Sequence, residues 1–508
     1  MRLIRHSLLL SGALLLAEAH TEASHRRQDH HVHSHAHHHA RQPSTLASCN
    51  VGNDALAIEL INNTPKNNIH AYVLVNYGDG VALITTESQY FSPEEAEQGR
   101  GTLTPEQAND GILLGPPGSM KRLNCLPIEL LSARIIASVG PLNLTKNTAS
   151  LSMPGYLDET SGARSNWSFI EANLQGNTLN VNPTFVDFTG LPVDFDLVTL
   201  SSASRYTGLR FDGIDQVCHQ LEEEQVKDGQ PWSHLCMKDS NGGNLRIKSP
   251  AHYEGFESYW EDYTDRIWKH YSTNDLTFVG NGGTSTKCRT DIAKQLMTCN
   301  GTSAEFARPS SSDIWGCAGD TTFGHSDPGM QAISPAFCAA IHRGLLLVPG
   351  GGTQPSARSS SYYPVDQMHN KYASILHKQQ ARHTGYAFPY DDVKTVPDDD
   401  VSGLMVGNDP RRLRIYIGGR FTDQLAGPHS SPSNSRLMSP SFSNSSSDVV
   451  GYLTRTTCPH TKTSALSSTM SSSTSSMTAV DSPAHQTAEC ESSDCMTGDT
   501  NTADYIVN

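Results

Sequence analysis

Residues 167–193, WSFIEANLQGNTLNVNPTFVDFTGLPV, place two carboxylates inside short apolar runs. The alternation of apolar and polar residues over Trp167 to Leu174 puts Glu171 on one face with aromatic side chains and leaves aliphatic side chains on the other. The same period in residues 184–188 sets Asp187 beside a phenylalanine. Both carboxylates are therefore predicted to lie on strands of a sheet.

Two turn signals divide this stretch into three runs. Gln175-Gly176-Asn177 and Asn182-Pro183 favour turns, so Thr178 to Val181 is predicted to be a short strand between them. The three runs would form a meander, with Glu171 and Asp187 on strands one removed from each other. Strands lie about 4.8 Å apart, so the carboxylates would be on the order of 9 to 10 Å apart, with room for a water molecule.

Five further blocks accompany this stretch: Asp212-Gly-Ile-Asp215, Arg308-Pro-Ser-Ser-Ser-Asp-Ile-Trp-Gly-Cys317, Asn370-Lys-Tyr372, Gly385-Tyr-Ala-Phe-Pro-Tyr-Asp-Asp-Val393 and Ile415-Tyr-Ile-Gly-Gly419. Together the six blocks resemble glycoside hydrolase family 64, the β-1,3-glucanases with a thaumatin-like β-barrel domain. The resemblance runs from residue 167 to residue 419, and the β-rich segment from about residue 50 is compatible with the start of the same region.

The resemblance implies an acid and a base, which carry over onto Glu171 and Asp187. By the family's inverting scheme, Glu171 would protonate the leaving glycosidic oxygen and Asp187 would deprotonate the attacking water. Thr184 fits the family's glucan-binding groove, and Asn173, which stands with Gln175 where other small polar residues are expected, is a second substrate-binding candidate. The implied partner is a β-1,3-glucan, and neither a metal nor an organic cofactor is expected.

Each candidate also has a simpler interpretation. A glutamate on a strand is often only solvated, and Asp187 could cap a turn that leads into Gly190-Leu191-Pro192. Asp391 and Asp392 form a second acidic pair, but after Pro389-Tyr390 a structural role in a loop is favoured. A non-catalytic β-glucan-binding cell-wall protein is the alternative function.

The composition limits the partners. The chain has 508 residues, of which 36% are hydrophobic and 18% charged, and its formal net charge is −15. This acidic balance argues against nucleic acid and anionic membranes, which require a basic surface, whereas a neutral polysaccharide raises no such objection. A monomer is expected.

The first nineteen residues are predicted to be a secretory signal peptide. Arg2 and Arg5 precede an apolar run of eleven residues, and Ala17-Glu18-Ala19 has the pattern of a cleavage site. The protein is therefore predicted to be secreted, either extracellular or associated with a cell wall. No run is long and apolar enough to cross a membrane.

Cysteines and glycosylation sequons agree with secretion. Eleven cysteines predict disulfides. The candidates are Cys49, Cys125, Cys218, Cys236, Cys288, Cys299, Cys317 and Cys338, with the pairing open. Acceptor sequons occur at Asn62, Asn143, Asn166, Asn300 and Asn444.

Residues 48–426 are predicted to form the catalytic region, between a disordered histidine-rich arm at 20–47 and a disordered Ser/Thr-rich tail at 427–508. The arm offers weak metal capture as a third interpretation, and the tail resembles an O-glycosylated stalk.

The predicted fold is β-rich: a thaumatin-like β-sandwich or barrel, with a mixed α/β domain inserted at about 210–350, that together form a wide groove. The predicted strands are Leu56–Ile61, Ile69–Asn76, Val81–Thr86, Arg134–Val139, Gly385–Val393 and Leu413–Gly419, the last two rejoining the first strands.

Helical spacing appears twice in the inserted part. Ile214, Val217, Cys218 and Leu221 recur at that spacing, and so do Phe256, Trp260, Tyr263 and Ile267. The aromatic stripe is predicted to be a buried helix face. Tyr259 and Trp268 fall off it and are candidates for exposed stacking on a sugar.

Overall fold

The computed structural model describes residues 56–420 except 79, 86–89, 94–110, 125, 127–129, 143, 147–149, 157–161, 163, 281–282 and 284. The predicted signal peptide, histidine-rich arm and Ser/Thr-rich tail lie outside the described residues, as do Cys49, Cys125, Asn143 and Asn444. None of the helices in the described part has the length and hydropathy that a membrane span requires.

Two sheets form the first part of the structure, with strands numbered along the chain. The first sheet has the order β14 (Ala203–Tyr206), β13 (Val193–Thr199), β23 (Pro410–Ile417), β1 (Ala57–Asn62) and β6 (Met120–Leu123). The second has the order β22 (Met405–Asn408), β11 (Thr178–Pro183), β10 (Trp167–Gln175), β7 (Ala133–Val139), β2 (Ile69–Tyr77), β3 (Gly80–Ile84) and β4 (Tyr90–Phe91), and β5 (Ile112–Leu113) pairs with β2.

The two sheets pack face to face as a sandwich. Alternate residues point inward, so Leu60 and Ile415 of the first sheet and Ile135 and Ile170 of the second belong to one buried apolar cluster. The early strands are thus confirmed, and β23 returns to pair in parallel with β1 as predicted for the end of the region. The thaumatin-like character of the sandwich stays a prediction.

Three smaller sheets complete the β structure. A three-stranded sheet has the order β12 (Phe188–Thr189), β16 (Asn244–Lys248) and β15 (Cys236–Lys238). A five-stranded sheet has the order β20 (Glu305–Ala307), β19 (Leu296–Cys299), β18 (Ser285–Asp291), β17 (Leu276–Val279) and β21 (Thr353–Gln354), and β8 (Thr145–Lys146) pairs with β9 (Leu151–Ser152).

Helices follow the first strands, as the change of period predicts. They are α1 (Gly213–Asp228), α2 (Glu261–Tyr271), α3 (Ser311–Gly316), α4 (Pro328–His342) and α5 (Lys371–Gln379). Shorter helical turns occur at Trp232–Leu235, Pro250–His252, Gly319–Phe323 and Ser359–Ser361.

A second apolar core joins these helices to the five-stranded sheet. It contains both predicted helical stripes, although Phe256 and Trp260 precede the first residue of α2. The core draws on residues from Leu209 to Phe388, so α5 contributes as well.

Six of the candidate cysteines form three disulfides in this second part. The pairs are Cys218–Cys236, Cys288–Cys299 and Cys317–Cys338. They close loops of 18, 11 and 21 residues. In the chain-entropy account, a disulfide that closes a loop of this length stabilises the folded state by about 3 kcal/mol. The disulfides therefore stabilise the helical part, which contains short strands and long connections.

One of the predicted strands does not form. Residues 385–393 form turns rather than a strand, because Tyr390 adopts a left-handed φ of 68° and the buried Asp391 side chain accepts a hydrogen bond from the Ala387 amide at 3.0 Å. Among the sequons, Asn62 is fully buried in the folded chain, and its amide donates to the Lys66 and Gly115 carbonyls. The Asn300 sequon is exposed.

Candidate active site

Glu171 lies on a strand, as predicted, in the middle of β10. Gly176 and Asn177 form the turn to β11, and this two-residue connection sets the register in which Glu171 is opposite Asn182. On the other side, β7 places Arg134 opposite Glu171. The carboxylate therefore meets one amide and one guanidinium, each from a neighbouring strand.

Both neighbours contact the Glu171 carboxylate. Asn182 Nδ2 donates to Oε2 at 3.3 Å, and Arg134 Nε lies 4.0 Å from Oε1. Burial is the largest influence and raises the pKa of Glu171, while Arg134 and Asn182 lower it and the charge of Asp187 raises it further. The net direction is upward, so Glu171 holds its proton to a higher pH than an ordinary glutamate.

Asp187 does not lie on a strand, which corrects the prediction. Pairing of β11 ends at Pro183, residues 186 and 187 form a bend, and the chain continues into β12 of the three-stranded sheet. The position beside β11 that the predicted meander gave to this run is taken by β22. The run leaves the sheet because the amide of Phe185 donates to the Tyr386 carbonyl at 2.7 Å instead of to a strand.

The bend that carries Asp187 is held by contacts from distant segments. Tyr372 of α5 is fully buried and donates to the Phe185 carbonyl at 2.7 Å, and its hydroxyl also lies 2.8 Å from Thr189 Oγ1. The Ser249 amide donates to the Asp187 carbonyl at 2.9 Å. These bonds fix the backbone on both sides of the carboxylate.

Gly190 continues this attachment beyond Asp187. A Cβ at this position would lie 2.0 Å from the Trp167 carbonyl oxygen, so only glycine allows the chain to pass so close to the start of β10. Nearby, Ser168 Oγ donates to the Leu191 carbonyl at 2.6 Å. The segment after Asp187 is thus anchored to the strand that carries Glu171.

The Asp187 side chain has its own partners. His252 Nε2 lies 2.9 Å from Asp187 Oδ1, and the Tyr156 hydroxyl lies 3.1 Å from the same nitrogen. Burial is the largest of the influences that raise the pKa of Tyr156, followed by the charge of Asp187 and a hydrogen bond with it. The phenol therefore stays protonated beside the carboxylate.

Both carboxylates are accessible to solvent. Glu171 keeps 34% and Asp187 31% of the side-chain surface exposed. The charge of Asp187 is the smallest of the four influences on the pKa of Glu171, and it acts upward. A half-buried, proton-retaining acid is thus within electrostatic reach of a second carboxylate that accepts a hydrogen bond from a histidine, a pair suited to general acid and base chemistry.

The two predicted substrate-binding residues lie close to the pair in sequence. Thr184 is buried between Pro183 and the bend. Asn173 is half-buried two residues after Glu171 on the same strand, and its Oδ1 accepts a hydrogen bond from the Ser132 amide at 3.0 Å. Their roles in binding a sugar stay predictions.

The prediction that Tyr259 and Trp268 are exposed for stacking on a sugar is wrong. Tyr259 is 5% and Trp268 1% exposed, so neither ring can stack on a sugar. Tyr259 precedes α2 and its ring packs against Trp260 and Trp315 at 4.9 and 5.3 Å. The helical spacing predicted only one buried face, but the aromatic core surrounds this segment on more than one side, so Tyr259 and Trp268 are buried as well.

Asp391 has the structural surroundings favoured from sequence. It is fully buried between Arg343, 3.1 Å away, and His377, 2.8 Å away. Burial raises its pKa, but the positive charges and hydrogen bonds of these partners outweigh burial and the net direction is downward. Asp392 accepts the Tyr386 hydroxyl at 3.0 Å, and burial raises its pKa.

Sequence reasoning missed most partners of the carboxylates. A signal existed for Asn182, because a two-residue turn at Gly176-Asn177 fixes it opposite Glu171. No comparable signal exists for His252, Tyr156 and Tyr372, which reach Asp187 or its bend through the tertiary fold.

One group of three possible metal ligands occurs within the described residues, formed by Cys317, Cys338 and His342. The two cysteines are joined as a disulfide, so their sulfurs are not available as thiolates. His342 uses its ring nitrogens on the Ile314 carbonyl and the Asn370 amide. This group is structural.

Two curated relatives are similar to part of the chain. Both are named glucan endo-1,3-β-glucosidase, one from Cellulosimicrobium cellulans and one from Arthrobacter sp. (strain YCWD3). Each is 28% identical over 241 residues, which is 45% of this chain and 41% of the relative. The match thus spans about two fifths of the length of these relatives.

Solved structures share the fold. A laminaripentaose-producing β-1,3-glucanase in complex with laminaritetraose superposes with a TM-score of 0.58 at 21% identity, covering 72% of this chain and 98% of that one. A β-1,3-glucanase domain from Clostridium beijerinckii gives a TM-score of 0.55 at 17% identity, with the same coverage.

The family model for glycoside hydrolase family 64, described as β-1,3-glucanase, matches residues 54–417. This range contains the five helices and the strands of the described part of the chain, together with both carboxylates of the candidate site. The chain belongs to glycoside hydrolase family 64.

Proposed function

We propose that this chain is a secreted, endo-acting β-1,3-glucan hydrolase that works with inversion through Glu171 and Asp187. Family membership and the names of the curated relatives support the substrate and the endo mode. The observation that carries the mechanism is the pairing of a proton-retaining glutamate with a nearby aspartate that a histidine holds by a hydrogen bond.

Glu171 is the general acid in this proposal. Its raised pKa favours the protonated form, which is the form that can donate to the glycosidic oxygen as the bond to the anomeric carbon breaks. The Asn182 amide donates a hydrogen bond to Oε2 at 3.3 Å, and this bond stabilises the carboxylate that forms when Glu171 gives up its proton.

Asp187 is the general base. It takes one proton from water while the water oxygen bonds to the anomeric carbon from the side opposite the leaving group. One water is consumed, and the fragment that carries the original reducing end leaves with the proton of Glu171. Asp187 then releases its proton to solvent and Glu171 takes one up, so both carboxyl groups return to their starting states. The scheme requires only these two carboxylates and a water. Thr184 and Asn173 are proposed to contact the glucan, and the enzyme is proposed to act as a monomer.

The first test is hydrolysis of laminarin, followed by the release of reducing ends. We expect the full chain to release them, and we expect Glu171→Gln and Asp187→Asn each to lower turnover by at least about a hundredfold without loss of the fold. Glu305→Gln, an exposed strand glutamate in the five-stranded sheet, is the matched control and should keep full activity.

Laminarin pull-down in parallel separates the enzyme from the glucan-binding alternative. Binding by the wild-type chain without any release of reducing ends would favour a non-catalytic wall protein. Turnover near the wild-type rate in either carboxylate variant would remove that residue from the mechanism.

A further inference from the structure

His252 contacts Asp187, the general base of the proposed reaction. Its Nε2 lies 2.9 Å from Asp187 Oδ1. An ionised carboxylate can only accept hydrogen bonds, so Nε2 must carry the hydrogen and donate it to Oδ1. His252 therefore holds Asp187 by Oδ1, and Oδ2 is the carboxylate oxygen that this hydrogen bond does not use.

The same turn of chain holds both the backbone and the side chain of Asp187. The Ser249 amide donates to the Asp187 carbonyl at 2.9 Å, and Ser249 Oγ caps the helical turn Pro250–His252 by accepting from the Ala251 amide at 3.4 Å. Upstream, β16 pairs with β12 so that Lys248 is opposite Phe188. This attachment places the imidazole in a fixed relation to the carboxylate.

Tyr156 restricts the imidazole from its other side. The Tyr156 ring stacks on Phe188 at 5.3 Å with an interplanar angle of 20°, and meets the His252 ring edge-on at 5.1 Å. Its hydroxyl lies 3.1 Å from His252 Nε2. The His252 side chain is 17% exposed, so it cannot turn freely into solvent.

We propose that His252 is a positioning residue for the general base, held in place by Tyr156: it fixes the Asp187 carboxylate so that Oδ2 faces the attacking water. This inference rests on the proposed function. His252 itself exchanges no proton with substrate, and its effect passes through the orientation of Asp187.

The test is the kinetics of His252 variants on laminarin. We expect His252→Ala to lower kcat by about 10- to 100-fold and to change KM by less than about twofold, since a misoriented base slows the chemical step without removing contacts to the glucan. His252→Gln keeps an amide N–H near the position of Nε2, so it should stay within about fivefold of the wild-type kcat.

His234→Ala is the matched control. His234 Nδ1 lies 2.8 Å from the Tyr253 hydroxyl, so this variant also loses one histidine–tyrosine hydrogen bond beside the same turn, but one that does not involve Asp187. It should retain wild-type kcat. If His252→Ala fails to fold, His252→Phe, which keeps a ring but has no donor, replaces it in the comparison with His252→Gln.

Two results would overturn the inference: a donor-free variant with kcat within about twofold of wild type, or a His252→Gln variant as slow as the donor-free one. Asp187→Asn measured alongside separates this failure from that of the proposed function. Full activity of Asp187→Asn would remove the base itself, whereas an inactive Asp187→Asn with a normal His252→Ala would remove only the role of His252.

Discussion

The surroundings of Glu171 and of Asp187 are built in different ways. Glu171 lies in the middle of a regular strand, and its partner Asn182 is only 11 residues away across a tight hairpin. Asp187 lies in a bend, where its side-chain partner His252 is 65 residues away and the hydroxyl that holds the bend, from Tyr372, is 187 residues from the carbonyl it binds.

This difference means that the neighbours of the two carboxylates control different properties. Strand register places a charge and an amide beside Glu171, so its neighbours act mainly on the pKa of the acid. Tertiary contacts place Asp187, so its neighbours act mainly on geometry. Substitutions around Asp187 should therefore change the rate, and substitutions around Glu171 should change the pH dependence.

The larger effect is expected from Tyr372→Phe. This change leaves the Phe185 carbonyl and the Thr189 hydroxyl without their buried partner, which costs about 1–3 kcal/mol of stability. Because the bend carries Asp187, we expect kcat on laminarin to fall by about tenfold as well. Thermal unfolding and steady-state kinetics measure the two effects.

Tyr271→Phe is the control for that variant. The Tyr271 hydroxyl also donates to a buried carbonyl, that of Leu346 at 2.6 Å, but in the helical core. It should lose similar stability and keep its kcat. If both tyrosine variants slow hydrolysis equally, the bend has no special role in placing the base.

A smaller effect is expected from Arg134→Gln. Burial raises the pKa of Glu171 and the Arg134 guanidinium lowers it, so removing the guanidinium raises that pKa further. The acid must be protonated to act, so the alkaline limb of kcat/KM should move to higher pH. At the optimum the rate should stay within about fivefold of wild type, because a partly exposed pair 4.0 Å apart is worth little.

Arg122→Gln provides the comparison on the first sheet. Arg122 also pairs with a glutamate on the adjacent strand, Glu59, at 3.4 Å, but on the first sheet of the sandwich. Its pH profile should match that of the wild type. An alkaline limb that moves to lower pH in Arg134→Gln would contradict the role of Glu171 as the acid.

The sequence predicts the surroundings of Glu171, which depend on local contacts, better than those of Asp187, which depend on tertiary contacts. The period of two and the turn at Gly176-Asn177 predict β10, the start of β11 and the face of Glu171 correctly, because hairpins depend on local residues. The predicted turn at Asn182-Pro183 is wrong, because both residues pair with β10 and extend β11 to Pro183. The helical spacing from Ile214 predicts α1 for the same reason. The carboxylate on the strand is therefore placed by information within about twenty residues of it.

The surroundings of Asp187 could not be predicted in this way. Residues 184–188 alternate as a strand would, but the hydrogen bond from Phe185 goes to Tyr386 and the place beside β11 is filled by β22. Residues 385–393 likewise look strand-like yet fold as turns around the buried Asp391. In both cases the chain follows partners that are distant in sequence, and a local pattern cannot identify them.

The most direct test of the account is the anomeric configuration of the first products, followed by proton NMR during rapid hydrolysis of a laminarin oligosaccharide. Direct displacement by a water that Asp187 activates predicts that the α-anomer of the new reducing end appears first and then mutarotates. Initial appearance of the β-anomer would mean retention of configuration, and would contradict the assignment of Glu171 and Asp187 as the acid and base of an inverting hydrolysis.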